Sequence, residues 1–484
     1  MNSYKKSLIT LSAVAALSIN SYGSQDVEQR LEKMELKIQK LEKQLKKAKK
    51  NISKVKKQAN NDNIKFDVDF RTALDNIEYK HADGSKSANH DLLTNRLWLN
   101  MGYAPSENVI FKGTLSYYKA YGDSANHDQS NVTTSNQEFQ NFDWVTNENA
   151  NDNSLKVKEA YWLYLDDTLF GADIPWTVSA GRRPSTDGLG INMREGQKAK
   201  SPLSHTVNVE FDGFSAKYTL ENVTDIEGMW FKLCTGRGLT NAEARFQSDG
   251  SSYAEDTTSN EDIDMYGFIF VPWDNGQYSV HTNWAKAVNL IGYSAADLAD
   301  GTSSGDSFSS VGDLTLFTTM FKAEGLGDGI SDFLDDTNFF ISYAQSTSNP
   351  SASSDGMFGT MDEKTGHSTW LGLNFPCPFT EDGRVGVEYN KGSKYWRSVT
   401  YGEDTMSGSK IAARGTALEV YYQKPLTKAL FFDARYTKIE YDYTGSQAFF
   451  GADGTPYAID SATAQAMGAV KKSSDLRASI SYRY

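Results

Sequence analysis

Ten prolines, two cysteines and six histidines are few for a chain of 484 residues. So little proline excludes a collagen-like or proline-rich protein, and two cysteines cannot staple a disulfide scaffold. Beyond residue 20 no apolar run approaches the 18 residues that a membrane helix needs, so a helical membrane protein is excluded. The histidines (81, 90, 127, 205, 281, 367) show no metal spacing, and no Cys-x-x-Cys-His would attach a haem. Neither a nucleophile elbow nor a glycine-rich phosphate loop occurs, and the strands hold no Ser/His/acid grouping. The chain therefore reads as a non-enzyme without metal or cofactor. Asp and Glu number 62 against 49 Lys and Arg, a net charge of -13, which argues against a nucleic-acid partner. What is abundant is Tyr, with 26, in a chain 12% aromatic whose mean hydropathy is only -0.54.

The N-terminus has the pattern of an export signal. Lys5 and Lys6 precede an apolar stretch from Leu8 to Ile19, and Ser21, Tyr22 and Gly23 offer a cleavage site after residue 23. The stretch is too short to span a membrane. No cysteine near the cut marks a lipoprotein. The expectation is a cleaved signal over 1–23 and an exported chain.

Residues 25–60 carry a heptad seam. Leu31, Ile38, Leu45, Ile52 and Ala59 fill one core position; Val27, Met34, Leu41, Ala48 and Val55 fill the other. No Gly or Pro interrupts the run, which as a helix would be roughly 50 Å long. In a parallel pair Arg30 would face Glu35 and Lys37 would face Glu42 of the next chain, both attractive. The seam residues Leu31, Met34, Ile38, Leu41, Leu45, Ile52 and Val55 predict self-association, without fixing the strand number. A single solvated helix is the alternative. This segment holds 12 basic and 5 acidic residues, whereas 61–484 holds 35 basic and 57 acidic. A basic rod is thus joined to an acidic body of charge -22.

The period then changes from 3.5 to 2. Ile64, Phe66, Val68, Phe70, Thr72 and Leu74 alternate with Lys65, Asp67, Asp69, Arg71, Ala73 and Asp75. Near the end Leu476, Ala478, Ile480, Tyr482 and Tyr484 alternate with Asp475, Arg477, Ser479, Ser481 and Arg483. About fourteen more such runs lie between, among them 97–103, 109–121, 155–165, 207–211, 214–220, 280–284 and 418–422. Their connections sort into short turns (104–108, 212–213, 272–276, 376–383, 425–428) and long polar loops (122–153, 184–205, 222–261, 289–309, 348–366, 397–410, 444–472). No proline falls inside a proposed strand. Tyr, Trp and Phe gather near strand ends, as interfacial girdles do. In lipid only helices or a closed barrel satisfy the backbone. The predicted fold is all-β: a transmembrane antiparallel β-barrel of about 16 strands (14–18), over 61–484, preceded by a short α-helical coiled coil.

Signal, coil, alternating strands and a terminal aromatic strand together resemble Gram-negative outer-membrane porins, and in arrangement an uncharacterised family of large porin-like proteins. The stretch Gly181-Arg182-Arg183-Pro184-Ser185-Thr186-Asp187-Gly188 resembles that family's recurring segment. The final residue is Tyr484 rather than the commoner Phe, and no surface-layer-type domain precedes the coil. The resemblance implies an outer-membrane channel for passive diffusion of small hydrophilic solutes or ions. Its setting would be outer-membrane lipid and lipopolysaccharide, its coil periplasmic and its assembly a homotrimer. It also implies that the loop between strands five and six enters the lumen as a constriction. That loop offers Arg182, Arg183, Arg194, Lys198 and Lys200 against Asp187 and Glu195, an excess of +3 that would favour anions. An outward loop with solvated charges is the alternative.

Two rival functions remain open: a barrel tethering the membrane to peptidoglycan through the coil, and a sheath around a partner electron carrier. Two acidic groups (Asp123, Asp128, Glu138, Asp143, Glu148, Asp152; and Asp249, Glu255, Asp256, Glu261, Asp262, Asp264) could meet divalent cations or simply be solvated, and neither has calcium-loop spacing. Cys234 beside a long loop and Cys377 in a short turn would lie at opposite barrel ends, so no disulfide is expected between them.

Overall fold

The computed structural model describes residues 64–484, apart from 123–141, 146, 149, 151–153, 201, 243, 245, 247, 257–260, 300–307 and 328. The signal sequence and the coiled-coil seam lie outside the described residues.

Sixteen strands close into one antiparallel barrel: β1 (Lys65–His81), β2 (Lys86–Tyr103), β3 (Val109–Ala120), β4 (Lys156–Asp166), β5 (Trp176–Arg183), β7 (Phe211–Thr219), β8 (Trp230–Leu239), β9 (Ile263–Asp274), β10 (Tyr278–Gly292), β11 (Ser309–Glu324), β12 (Asn338–Pro350), β13 (Lys364–Pro376), β14 (Arg384–Gly392), β16 (Gly415–Pro425), β17 (Leu430–Tyr441) and β18 (Val470–Arg483). The two-residue strands β6 (Val207–Asn208) and β15 (Val399–Thr400) stand apart and pair with each other in parallel. The first and last barrel strands pair from Asp69–Arg483 to His81–Val470, and Tyr484 exchanges two backbone hydrogen bonds with Val68. No sheet edge is left in the barrel, as a lipid environment demands.

The period-2 pattern decides which face goes where. On β18 Leu476, Ile480 and Tyr482 point outward and are exposed, while Asp475, Arg477, Ser479 and Ser481 point inward and are buried. On β1 Phe66, Phe70 and Leu74 are exposed while Asp69, Arg71 and Asp75 are buried. Apolar outside and charged inside inverts the pattern of a water-soluble sheet, and it belongs to a barrel whose solvent is lipid.

Several readings from the sequence change. Asp212 and Gly213 form no hairpin; they lie inside β7, paired with Arg182 and Gly181 of β5. The segment 222–261 is no single loop, because it contains β8, bounded by 220–229 and 240–262. One strand fewer at 207–220 and one more within 222–261 leave the total at sixteen. Both differences arise because Gly213, Gly236 and Gly238 interrupt the apolar alternation of these strands. Short and long connections do not all keep to their own ends: 82–85 is a tight hairpin at the end of the long loops, and 325–337 is long at the end of the short turns. Pro272 lies within β9, but beyond the last β8 pair and at a register shift opposite β10, where no ladder donor is required. Cys234 sits within β8 rather than beside a loop; Cys377 is in the β13–β14 turn, and both thiols are free.

The core is inside the barrel. Near the long-loop end Trp144, Val207, Val209, Val399, Phe358 and Phe450, all from connecting segments, pack against wall residues including Ile263, Leu314 and Leu316. Farther in, Leu189, Ile191, Leu203 and Ile411 pack against Met320, Phe340 and Trp370 of β11, β12 and β13. Connections that bury this much apolar surface are fixed parts of the interior.

Candidate functional site: the crossed lumen

The chain leaves the wall at the segment Gly181–Gly188. Gly181, at φ +121°, lies so close to Ala160 and Tyr161 of β4 that a Cβ would strike their backbone. Arg182 then turns to carboxylates on both sides: Glu210 at 2.8 Å, Asp143 at 2.5 Å and Asp212 at 3.4 Å. Ser185 donates to the Val209 carbonyl, and the Asp187 amide donates to Asn208 Oδ1 at 3.0 Å. Departing and returning strands are thereby stitched together, and the segment between them, 184–210, is directed inward.

That segment crosses the interior and touches wall strands around the barrel. Its short helix α1 (Ile191–Glu195) follows Gly190, whose φ of +105° and contact with the Trp370 indole leave no room for a side chain. Leu189 and Ile191 bury against Trp370 and Phe340. Arg194, fully buried, pairs with Glu419 of β16 at 3.3 Å and with Glu195 at 3.0 Å. Glu195 receives Arg435 of β17 at 3.2 Å, and its carbonyl accepts from Arg483 at 3.1 Å. Gln197 reaches Asp69 of β1 at 3.1 Å, and Lys200 pairs with Glu159 of β4 at 2.7 Å. His205 lies between Ser342 of β12 (2.8 Å) and Ser368 of β13 (2.9 Å), and burial pushes its pKa down to about 3.

A second segment, 393–414, also enters the lumen. It meets the first at the β6–β15 pair, where the Val399 amide donates to the Thr206 carbonyl at 2.9 Å. Lys410 bridges Glu388 of β14 (2.6 Å) and Glu419 (2.5 Å). At its tip Glu403 and Asp404 occupy left-handed backbone, φ +42° and +58°, a conformation that costs non-glycine residues on the order of 1 kcal/mol each.

The wall explains what holds that tip. Arg71 stands directly opposite Arg96 across β1 and β2, and Arg435 opposite Arg477 across β17 and β18. Like charges facing across a ladder repel. Asp404 fits among them. Arg71 grips it with both Nη groups, one at 2.7 Å; Arg477 lies at 3.3 Å and Arg96 at 3.5 Å, and Tyr118 donates at 3.2 Å. The Asp404 carbonyl also accepts from Arg477 at 2.8 Å and Arg435 at 3.3 Å. Burial would raise this carboxyl, but Arg71 and Arg477 outweigh it and hold it well below the usual range. The Glu403 carboxyl is pushed up by burial instead, with Ser409 only partly opposing.

The residues named from sequence are not gathered into one ring. Arg182 and Arg183 stand where the wall ends, Arg194 and Glu195 against β16 and β17, Asp187 and Lys200 near β4, and Lys198 is exposed. Arg182, Arg194 and Lys200 each face a carboxylate, so the excess of +3 in the loop is not an unopposed field. Sequence reasoning missed Asp404 and the arginines around it. The alternation puts Arg71 and Arg477 on the charged strand face, yet nothing local connects them to Asp404, which is 333 positions from Arg71. The acidic loop residues that the structure describes are partly engaged as well: Asp143 with Arg182, Glu148 with Lys158, and Asp262 and Asp264 with Arg237. No metal-type cluster occurs among the described residues.

A closed sixteen-strand barrel, apolar without and charged within, is a transmembrane barrel of porin type. The chain belongs to the family described as "Protein of unknown function (DUF3373)", whose model matches residues 86–484. Among curated proteins, none matches this chain. Solved structures similar to it include OprB of Pseudomonas putida at high pH, with 11% identity, covering 87% of this chain and 94% of that one, TM-score 0.46. Another is an anion-selective porin from Comamonas acidovorans, with 10% identity, 87% and 100% coverage, TM-score 0.44. A third is the trimer form of OmpT, an outer-membrane protein of Vibrio cholerae, with 11% identity, 87% and 99% coverage, TM-score 0.41.

Proposed function

We propose that this protein is an outer-membrane channel for small hydrophilic solutes or ions, narrowed where 184–210 and 393–414 meet inside the barrel. The observation that carries this reading is the charged lumen, crossed by two segments tied to the wall by ion pairs, inside a barrel with an apolar exterior. A sixteen-strand barrel is wide enough for an aqueous lumen, and the crossing segments reduce it to a narrow passage. On the short-turn side a chamber is lined by Arg71, Arg194, Arg384, Arg435 and Arg483; four of these meet carboxylates, whereas Arg384 is held by Asn374 and the Asp336 carbonyl, and it is Arg384 that supports a preference for anions. Loop charge alone does not support it, since those cations are paired.

The N-terminal pattern supports export to a Gram-negative outer membrane, with the coil in the periplasm gathering a homotrimer. The interior that a partner electron carrier would need is taken up by this chain's own segments, which weighs against a sheath. Planar-bilayer recording tests the reading. Discrete conductance steps with an anion-shifted reversal potential are expected in a salt gradient. A wild-type reversal potential with no anion shift would remove the anion preference, unchanged selectivity in the Arg384→Gln, Arg483→Gln double variant would remove its assignment to this chamber, and no conductance at all would remove the channel.

A further inference from the structure

A second interior cavity, separate from the Asp404 cluster, lies between segment 184–207 and the wall formed by β5 and β7–β10. Its free space is about 90 Å³, within a recess of about 630 Å³ that includes the open mouth, so only a small organic molecule, seated partly in the mouth, would fit. Its lining is mainly apolar, with Phe211, Met265, Ile269 and Ala285 from the wall and Pro184 and Pro202 from the crossing segment. Three glycines on adjacent strands, Gly213, Gly236 and Gly267, leave the wall bare of side chains here. Two cations stand in it, Arg183 and Lys232, and no Asp or Glu lines it. Arg183 stacks over the Tyr161 ring at 4.1 Å, and its buried Nε and one Nη have no hydrogen-bond partner.

Buried guanidinium donors left unsatisfied are costly, and a ligand carboxylate satisfies them with charge-assisted hydrogen bonds. The surrounding apolar wall rewards a ligand that carries a hydrophobic body beside that carboxylate and gives nothing to a fully hydrated inorganic anion. We propose that this cavity binds an amphipathic organic anion, an aromatic or medium-chain monocarboxylate, with its carboxylate on Arg183 and Lys232. The proposal deepens the channel reading by naming a solute class, and it rests on that reading only for transport, not for binding.

Equilibrium dialysis of the detergent-purified full chain with radiolabelled benzoate, against a detergent-only control, tests it. Saturable binding is expected, displaced by hexanoate and not by inorganic phosphate. Arg183→Gln and Lys232→Gln each weaken it about tenfold, the loss of one charged hydrogen bond, while Arg183→Lys retains most of it. Circular dichroism confirms that each variant still forms the barrel. No saturable binding by the folded wild type, equal binding by the Gln variants, or equal competition by phosphate would each overturn the site. Conductance without benzoate binding would leave the channel standing and sink this site; binding without conductance would do the reverse.

Discussion

Asp404 is one carboxylate among four wall arginines. Around it, Arg71–Arg96 and Arg435–Arg477 are cross-strand pairs of like charge that only an inserted anion makes tolerable. Replacing Asp404 with Asn keeps the shape and removes the charge. Breaking a buried ion cluster on one side costs about 3 kcal/mol or more. Thermal unfolding of D404N in detergent should show that loss, and single-channel traces should become noisier as the tip is released; wild-type traces would disprove the anchoring role. His205 is the complementary case, a base held neutral by burial between two serine hydroxyls. Its folded pKa, about 3, is below its ordinary value, so the unfolded chain binds more protons as the pH falls through 6.5. Its contribution is therefore complete above that pH and is lost progressively toward pH 3. A flatter dependence of the melting temperature between pH 7 and 4 is expected for His205→Gln than for the wild type.

At the scale of elements, the strands were legible and the interior segments were not. A strand with one face in lipid must repeat every two residues, and Leu476, Ile480 and Tyr482 announce that locally. Arginine in place of Leu476, near the middle of β18, should cost about 2–4 kcal/mol in a membrane-embedded barrel, read as a lower yield of heat-resistant folded protein. The segment 397–410, by contrast, reads as one more polar loop. Its place inside the barrel depends on Val399 pairing with Val207, on Trp396 and Ile411 finding buried sites, and on Asp404 finding its arginines. All of these partners are distant in sequence, so no local pattern reports them. Segment 184–210 was foreseeable only through resemblance. Deleting 399–408 should leave the sixteen wall strands intact by circular dichroism and raise the single-channel conductance severalfold. An unchanged conductance would show that this segment does not limit the passage.

For the whole molecule, the seam over 25–60 makes its own prediction. Removing it should leave a folded barrel in the membrane but abolish chemically cross-linked trimers; trimers that persist would assign assembly to the barrel wall. An envelope loosened by that deletion while conductance survives would point to tethering as the coil's task.

The sequence by itself determined what short-range chemistry can express: export pattern, heptad period, and then the strand period that puts Phe70 and Leu74 outward and Arg71 and Asp75 inward. It also placed most turns, because proline and glycine are local restrictions on the backbone. Only the tertiary structure decided that β7 runs through Gly213, that 222–261 hides β8, and that Arg71, Arg96, Arg435 and Arg477 converge on Asp404. The physical reason is closure. Until β18 pairs with β1, those arginines are charges on separate strands, and the carboxylate that makes their proximity affordable belongs to a segment with no position of its own until the barrel surrounds it.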